Sequence, residues 1–295
     1  MTYTVIIPCY NGERYLGQAI ESVLEQTRPP TGVLVVDDGS TDSSAAIAAS
    51  YGPPVSVIRK ENAGLARARN TGVAAAQNPL VAFLDADDWW LPSKMEKQIP
   101  LFLDPEVGLV HSFHDWVDNG QGIRIRTVSH AVSGNALLPL LNSCVVGVLT
   151  VVVRRDLLLA ARGFSDDLDS AEDWDMWLRL SRMTRFAVVE EVLACYRVHG
   201  ENMSLNDQST LSGCLTALER QRPFCHSRVE QQALSRGIRN TKVMFSTRML
   251  HDRRDIQPLI SILRLWPAHA LTLSFWRVVC RRLLRLSRAA VRLPP

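Results

Sequence analysis

Asp85 and Asp87, separated by one residue, follow directly on the apolar run Val81-Ala82-Phe83-Leu84. In an extended segment, residues i and i+2 point to the same side. Two carboxylates held side by side repel each other unless a cation lies between them. Hard cations such as Mg2+ or Mn2+ take oxygen ligands and keep positions for water and phosphate oxygens. Asp88 places a third carboxylate next to the pair. The spacing therefore points to metal-assisted chemistry on a phosphate-bearing substrate.

Two more polar loops follow apolar runs in the same way. Pro8-Cys9-Tyr10-Asn11 comes after residues 5–7, and Asp37-Asp38-Gly39-Ser40 comes after residues 33–36. Singly, such loops are ordinary turns, where Asp, Gly and Ser are common. Three of them at the carboxyl ends of strands share one edge, and an open α/β sheet binds its ligands there.

The elements that must position these loops alternate. Apolar runs at 5–8, 33–36, 55–58 and 80–84 read as strands, and helical spacing covers 14–26 and 65–77. This implies βαβ units and a mostly parallel first half. Further strands are expected at 111–117, 145–153 and 188–196, with helices at 134–141 and 172–183. The chain from 207 onward is helical in pattern. The expected organisation is a donor-side half over 1–98, an acceptor-side half over 99–206 in the same α/β domain, and a helical extension over 207–295. His111 and His114 do not read as a metal pair, because i and i+3 face opposite ways in a strand.

Bulk properties exclude several classes. The chain has 295 residues, 46% hydrophobic and 21% charged, with a net charge of only +3. No global basic field for nucleic acid is indicated. Its six cysteines form no C-x-x-C pair, and the N-terminus has no charged n-region or apolar h-region. Reduced thiols and a cytoplasmic location are expected. No uncharged apolar stretch reaches about 18 residues, so a spanning helix is not expected. From Leu263 onward there are seven arginines and no Asp, Glu or Lys. Arg277, Arg281, Arg285, Arg288 and Arg292 recur at helical spacing, with Trp276, Val279, Leu283 and Leu286 mainly on another side. A basic amphipathic helix of this kind suits an anionic membrane surface, as a peripheral contact at the cytoplasmic face. Packing on the domain or oligomerisation are the plainer alternatives.

A set of motifs in order resembles the family 2 glycosyltransferases. They are Val5-Ile-Ile-Pro-Cys-Tyr-Asn11, Val35-Val-Asp-Asp-Gly-Ser-Thr-Asp42, Glu61-Asn-Ala-Gly-Leu-Ala-Arg-Ala-Arg-Asn-Thr-Gly72, Phe83-Leu-Asp-Ala-Asp-Asp88, Gly163-Phe164 with Glu172-Asp-Trp-Asp-Met-Trp-Leu-Arg-Leu180, and Tyr196-Arg-Val-His199. The resemblance implies a GT-A-type, Rossmann-like mixed sheet flanked by helices. It also implies inverting transfer from a nucleotide-sugar donor, by default a UDP-sugar, to a carbohydrate or glycolipid acceptor. On this reading Pro8, Tyr10, Asn11 and Asp38 cradle the base, and Asn62 and Arg69 line the nucleotide and sugar pocket. Asp85 and Asp87 hold the metal and the ribose-diphosphate, with Asp88 and His199 as further ligands. Arg197 neutralises the diphosphate, Asp173 is the general base with Glu172 as the competing candidate, and Trp174 stacks on the acceptor sugar. Trp177 reads as helix core. Ala161-Arg162-Gly163-Phe164 departs from the usual Gly-Gly-Phe, which puts the local turn in question. A sugar nucleotidyltransferase would also want paired aspartates, but the loop after residue 8 lacks a Gly- and Lys-rich phosphate cradle. A non-catalytic carbohydrate- or partner-binding module is the other alternative, disfavoured by the intact acidic motifs.

Overall fold

The computed structural model describes residues 1–252 except 121 and 201. The arginine-rich tail expected to meet a membrane lies outside the described residues. The first part alternates as its periodicity requires: β1 (Tyr3–Cys9), α1 (Leu16–Leu24), β2 (Gly32–Asp37), α2 (Ser44–Ser50), β3 (Val55–Arg59), α3 (Leu65–Ala75) and β4 (Leu80–Phe83). Every residue of β1 is buried. A strand so continuously apolar must be covered on both faces. Its side chains accordingly divide between two cores. Ile6 joins Val36, Phe83 and Trp177, while Val5 and Ile7 join Ala19, Ile20 and Val23 of α1.

The sheet then changes direction. The later strands are β5 (Trp89–Trp90), β6 (Val107–Asp118), β7 (Arg124–Val128), β8 (Val152–Arg154) and β9 (Arg185–Val198). The strand order is β3-β2-β1-β4-β8-β6-β9-β5, with β7 paired to β6. The pairings of β1 with β2 and β4, and of β2 with β3, are parallel. β8 runs antiparallel to both β4 and β6, and β6 and β9 run parallel to each other. The sheet is therefore mixed, and its all-parallel part ends at β4. The expected halves 1–98 and 99–206 contribute strands to this one sheet. The strand expected over 145–153 shortens to β8, because a 3-10 turn occupies Val148–Thr150. There, side chains take the carbonyls: Trp90 Nε1 donates to Leu149 O at 2.8 Å and Gln98 Nε2 donates to Thr150 O at 2.9 Å.

The remaining helices are α4 (Lys94–Gln98), α5 (Leu137–Asn142), α6 (Arg155–Ala160), α7 (Glu172–Leu180), α8 (Asp207–Glu219) and α9 (Arg228–Asp252). Two glycines allow α8 and α9 to close on the domain. A Cβ at Gly213 would stand 2.1 Å from Ser170 O, and one at Gly237 would stand 1.8 Å from Leu141 O. Cys214, Leu218, Leu234 and Phe245 share a core with Trp174 and Trp177. The described part of the helical extension is thus built into the support of α7.

Candidate active site

The carboxyl ends of β1, β2 and β4 meet as expected, but several polar groups there are engaged with one another. Asn11, in the left-handed region at φ 50°, donates its N–H to Ser40 Oγ at 2.9 Å. Its Oδ1 accepts from Thr41 N at 2.9 Å. Asn11, itself exposed, therefore staples the first loop to the second. Asp38 is buried, accepts from Ala63 N at 3.1 Å and Gly64 N at 2.8 Å, and pairs with Lys60. Three donors of the chain already occupy the carboxylate that the sequence assigned to the base, so its first task is shaping the loop before α3. Tyr10 is 54% exposed and Asn62 is exposed on the same rim. Pro8 is buried beneath them.

Asp85 and Asp87 lie just past β4 with partly open carboxylates. Arg69 donates to Asp85 Oδ1 at 2.7 Å. Asp87 Oδ2 lies 2.8 Å from His199 Nε2 and 3.4 Å from Asn202 Nδ2. Burial and the neighbouring Asp85 charge push the Asp87 pKa up. Among the described residues no three His, Cys, Asp or Glu groups form a metal cage. The donor set still fits a divalent ion held by two hard oxygens beside an imidazole, with its remaining positions left to diphosphate and water. The repulsion between the paired carboxylates is what such an ion relieves.

Asp88 and Arg197 depart from their expected roles. Asp88 is 1% exposed, its Oδ1 accepts from Arg197 N at 2.8 Å, and burial raises its pKa well above the usual range. Through Oδ1 it fastens β9 under the acidic loop, while its buried Oδ2 has no hydrogen-bond partner. Arg197 donates Nε to Asp87 O at 2.7 Å and its terminal nitrogens to Asn119 Oδ1 at 3.1 Å and Gln18 Oε1 at 2.5 Å. Its guanidinium lies 4.7 Å from the Tyr15 ring centroid and 4.6 Å from that of Trp89. So fully engaged, it supports the Asp87 backbone and does not neutralise a diphosphate. Sequence reasoning missed Lys60, Asn119 and Asn202. Only the turn Gly200-Glu-Asn hinted at the last.

Across the cleft, α7 starts from Ala171 in the left-handed region at φ 62°. Glu172 is buried against Arg69, whose guanidinium bridges it to Asp85. Arg69 is 1% exposed. Its terminal nitrogens are committed to carboxylates, so it does not line the donor pocket freely. Asp173 is half-buried, and its Oδ1 accepts from Trp174 N at 2.7 Å. Burial, then the charge of Glu172, pushes its pKa up to about 7. A carboxylate with that affinity is matched to taking a proton near neutrality. Trp174 is 1% exposed and donates Nε1 to Leu140 O at 2.9 Å. It is a core residue and cannot stack on an acceptor. Trp177 is core as expected, edge-on to Phe164 at 6.1 Å.

Residues 4–143 match the family described as Glycosyl transferase family 2. Over 207 residues, 69% of this chain and 79% of the relative, the sequence is 30% identical to the UDP-Glc:alpha-D-GlcNAc-diphosphoundecaprenol beta-1,3-glucosyltransferase WfgD of Escherichia coli. The chain belongs to glycosyltransferase family 2. It is a glycosyltransferase that uses nucleotide sugars. S. aureus TarS in complex with UDP-GlcNAc superposes with a TM-score of 0.70 at 19% identity, over 90% of this chain and 79% of that one. Mannosyltransferase PcManGT from Pyrobaculum calidifontis, in complex with GDP-Man and Mn2+, superposes with a TM-score of 0.64 at 18% identity, over 98% of this chain and 86% of that one. These likenesses establish the GT-A fold for this family 2 chain. Among the described residues no helix is long and apolar enough to cross a membrane.

Proposed function

We propose that this family 2 glycosyltransferase transfers a sugar from a nucleoside diphosphate donor, a UDP-sugar in the first instance, to a hydroxyl of a cell-surface glycan or glycolipid acceptor, inverting the anomeric centre in a single displacement. One observation carries the reading: the buried Arg69 pairs both with Asp85, next to Asp87, and with Glu172, next to Asp173 on α7, so the acidic loop and the start of α7 meet at one place. Tyr10 and Asn62 on the rim, with Pro8 beneath, receive the nucleoside. Asp38 orders the loop that frames the base and offers its remaining lone pair to a ring N–H. Asp85 and Asp87, with His199 beside them, would hold a divalent ion, which would supply charge neutralisation to the departing diphosphate. Asp173 accepts the proton of the acceptor hydroxyl as its oxygen attacks the anomeric carbon. Glu172 is committed to Arg69, which leaves Asp173 as the base.

Family membership removes the nucleotidyltransferase and non-catalytic alternatives. The lipid diphosphate in the name of the Escherichia coli relative supports a lipid-linked acceptor. With the basic tail, it also supports a reaction at the cytoplasmic face of the membrane. The test is a thermal-shift panel of UDP, GDP, CDP and dTDP, each with Mn2+ or with EDTA. A ligand that binds only the native state raises apparent stability. UDP with Mn2+ is expected to raise the midpoint most, EDTA to remove the gain, and Asp87→Ala to abolish the metal dependence. Equal binding in EDTA would overturn the metal site.

A further inference from the structure

We propose that Arg69 is a positioning residue that ties the donor-side acidic loop to the start of α7, beside the base Asp173, and that it sets Asp173's readiness by pairing with Glu172 and Asp85 at once. The proposal rests on the assignment of Asp173 as base and adds the residue that controls it.

Arg69 lies on α3, between the two sides of the cleft. One terminal nitrogen donates to Asp85 Oδ1 at 2.7 Å and the other to Glu172 Oε1. The guanidinium is buried, with Nε lacking a hydrogen-bond partner. A buried arginine is tolerable only when its charge is paired, and here both counter-charges belong to the active site. The carbon framework is fixed as well. The guanidinium stands 5.6 Å from the centroid of Phe164, which packs edge-on to Phe83 of β4 and to Trp177 of α7. The next residue, Asn70, holds Phe164 from both sides. Its Oδ1 accepts from Phe164 N at 2.7 Å and its Nδ2 donates to Phe164 O at 2.8 Å. Arg69 and Asn70 together staple the end of β4 to the segment that delivers α7.

The charges facing Asp173 are Glu172 on its own helix, Arg69 from α3 and Asp85 from the loop after β4. The thiols of Cys144 and Cys214 lie within electrostatic reach. Glu172 and Asp85 favour the protonated form of Asp173, and Arg69 favours the carboxylate. Removing Arg69 must therefore make the base harder to deprotonate, and removing the Glu172 charge must make it easier. A lysine cannot span both carboxylates, because it is a point charge without the planar fork.

The experiment follows the Asp173 carboxyl carbon by NMR titration in the full chain. It compares wild type, Arg69→Gln, Arg69→Lys, Glu172→Gln and the double variant, with thermal midpoints recorded alongside. This readout needs no substrate, so failure of the transfer reaction and failure of the proposal are separable. Arg69→Gln is expected to raise the Asp173 midpoint by on the order of one pKa unit, Glu172→Gln to lower it, and the double variant to return towards wild type. Arg69→Lys is expected to fall between wild type and Arg69→Gln, and it carries the test if the glutamine variant does not fold. In turnover, Arg69→Lys is expected to lower kcat at least tenfold with donor KM changed less than threefold. An unchanged Asp173 midpoint in the arginine variants, or shifts of the same sign in Arg69→Gln and Glu172→Gln, would overturn the proposal.

Discussion

At the residue scale, the site is an arrangement of carboxylates whose differences come from their surroundings. Asp88 is buried and tied to the β9 backbone, Glu172 is paired with Arg69, and Asp173 is left with its pKa near 7. A general base must be deprotonated to act, so the transfer rate is expected to rise with pH and level off above about 7. Initial rates from pH 5 to 9 would check this, and a rate already flat at pH 5 would exclude Asp173 as the base. The same residue carries a stability consequence of opposite direction. A carboxyl whose pKa is raised on folding binds more protons in the native state than in the unfolded state, between the two values. Stability therefore falls as pH rises through that window, and the loss is complete above the folded pKa. Asp173→Asn is expected to raise the thermal midpoint most at pH 8, less at pH 5, which already lies inside that window, and least below the unfolded value of about 4. The carboxylate pair at 85 and 87 and the acidic opening of α7 were legible in the sequence. The duties of Arg197, Arg69 and Trp174 were not. A motif tells which side chains gather, but their partners come from other elements: the Arg197 amide meets Asp88, Arg69 meets Glu172 of α7, and the Trp174 indole meets the Leu140 carbonyl of α5.

At the element scale, the strand–helix alternation of the first ninety residues was legible, because a strand covered on both faces leaves a continuous apolar run. The elements of the second half were harder to read. β5 has two residues and β8 three, too short for any periodicity, and Leu149 and Thr150 satisfy their carbonyls through side chains. The turn before α7 repays its departure from Gly-Gly-Phe. Arg162 and Gly163 both stand in the left-handed region, at φ 64° and 74°. A non-glycine residue costs about 1–2 kcal/mol there, against about 0.5–1 kcal/mol for the greater freedom of glycine in the unfolded chain. Arg162→Gly is expected to stabilise the fold by about 0.5–1 kcal/mol, read as a higher denaturation midpoint in urea. Gly237→Ala is expected to do the reverse. Its added carbon would meet the Leu141 carbonyl, forcing α9 from α5 at a cost of about 1–3 kcal/mol.

At the scale of the whole molecule, one sheet changes from parallel to mixed at β4, and the cleft lies where donor-side loops meet α7. Helix α8 packs on α7 and α9 packs on α8 and α5, and the chain beyond residue 252 carries the arginine stripe. If that stripe meets anionic lipid, full-length protein should sediment with anionic vesicles in a salt-sensitive way, and a version ending near Ile260 should not. Each arginine near such a surface adds on the order of 1 kcal/mol. Equal behaviour of the two versions would remove the membrane role. The central claim is that Asp173 takes the acceptor proton while donor binding is organised elsewhere. Its most direct test is Asp173→Asn measured twice, by calorimetric titration of UDP with Mn2+ and by initial rates of transfer to a synthetic sugar-diphosphate-lipid. The account predicts an unchanged UDP affinity with transfer lower by roughly 10²–10⁴-fold; transfer at the wild-type rate would contradict it.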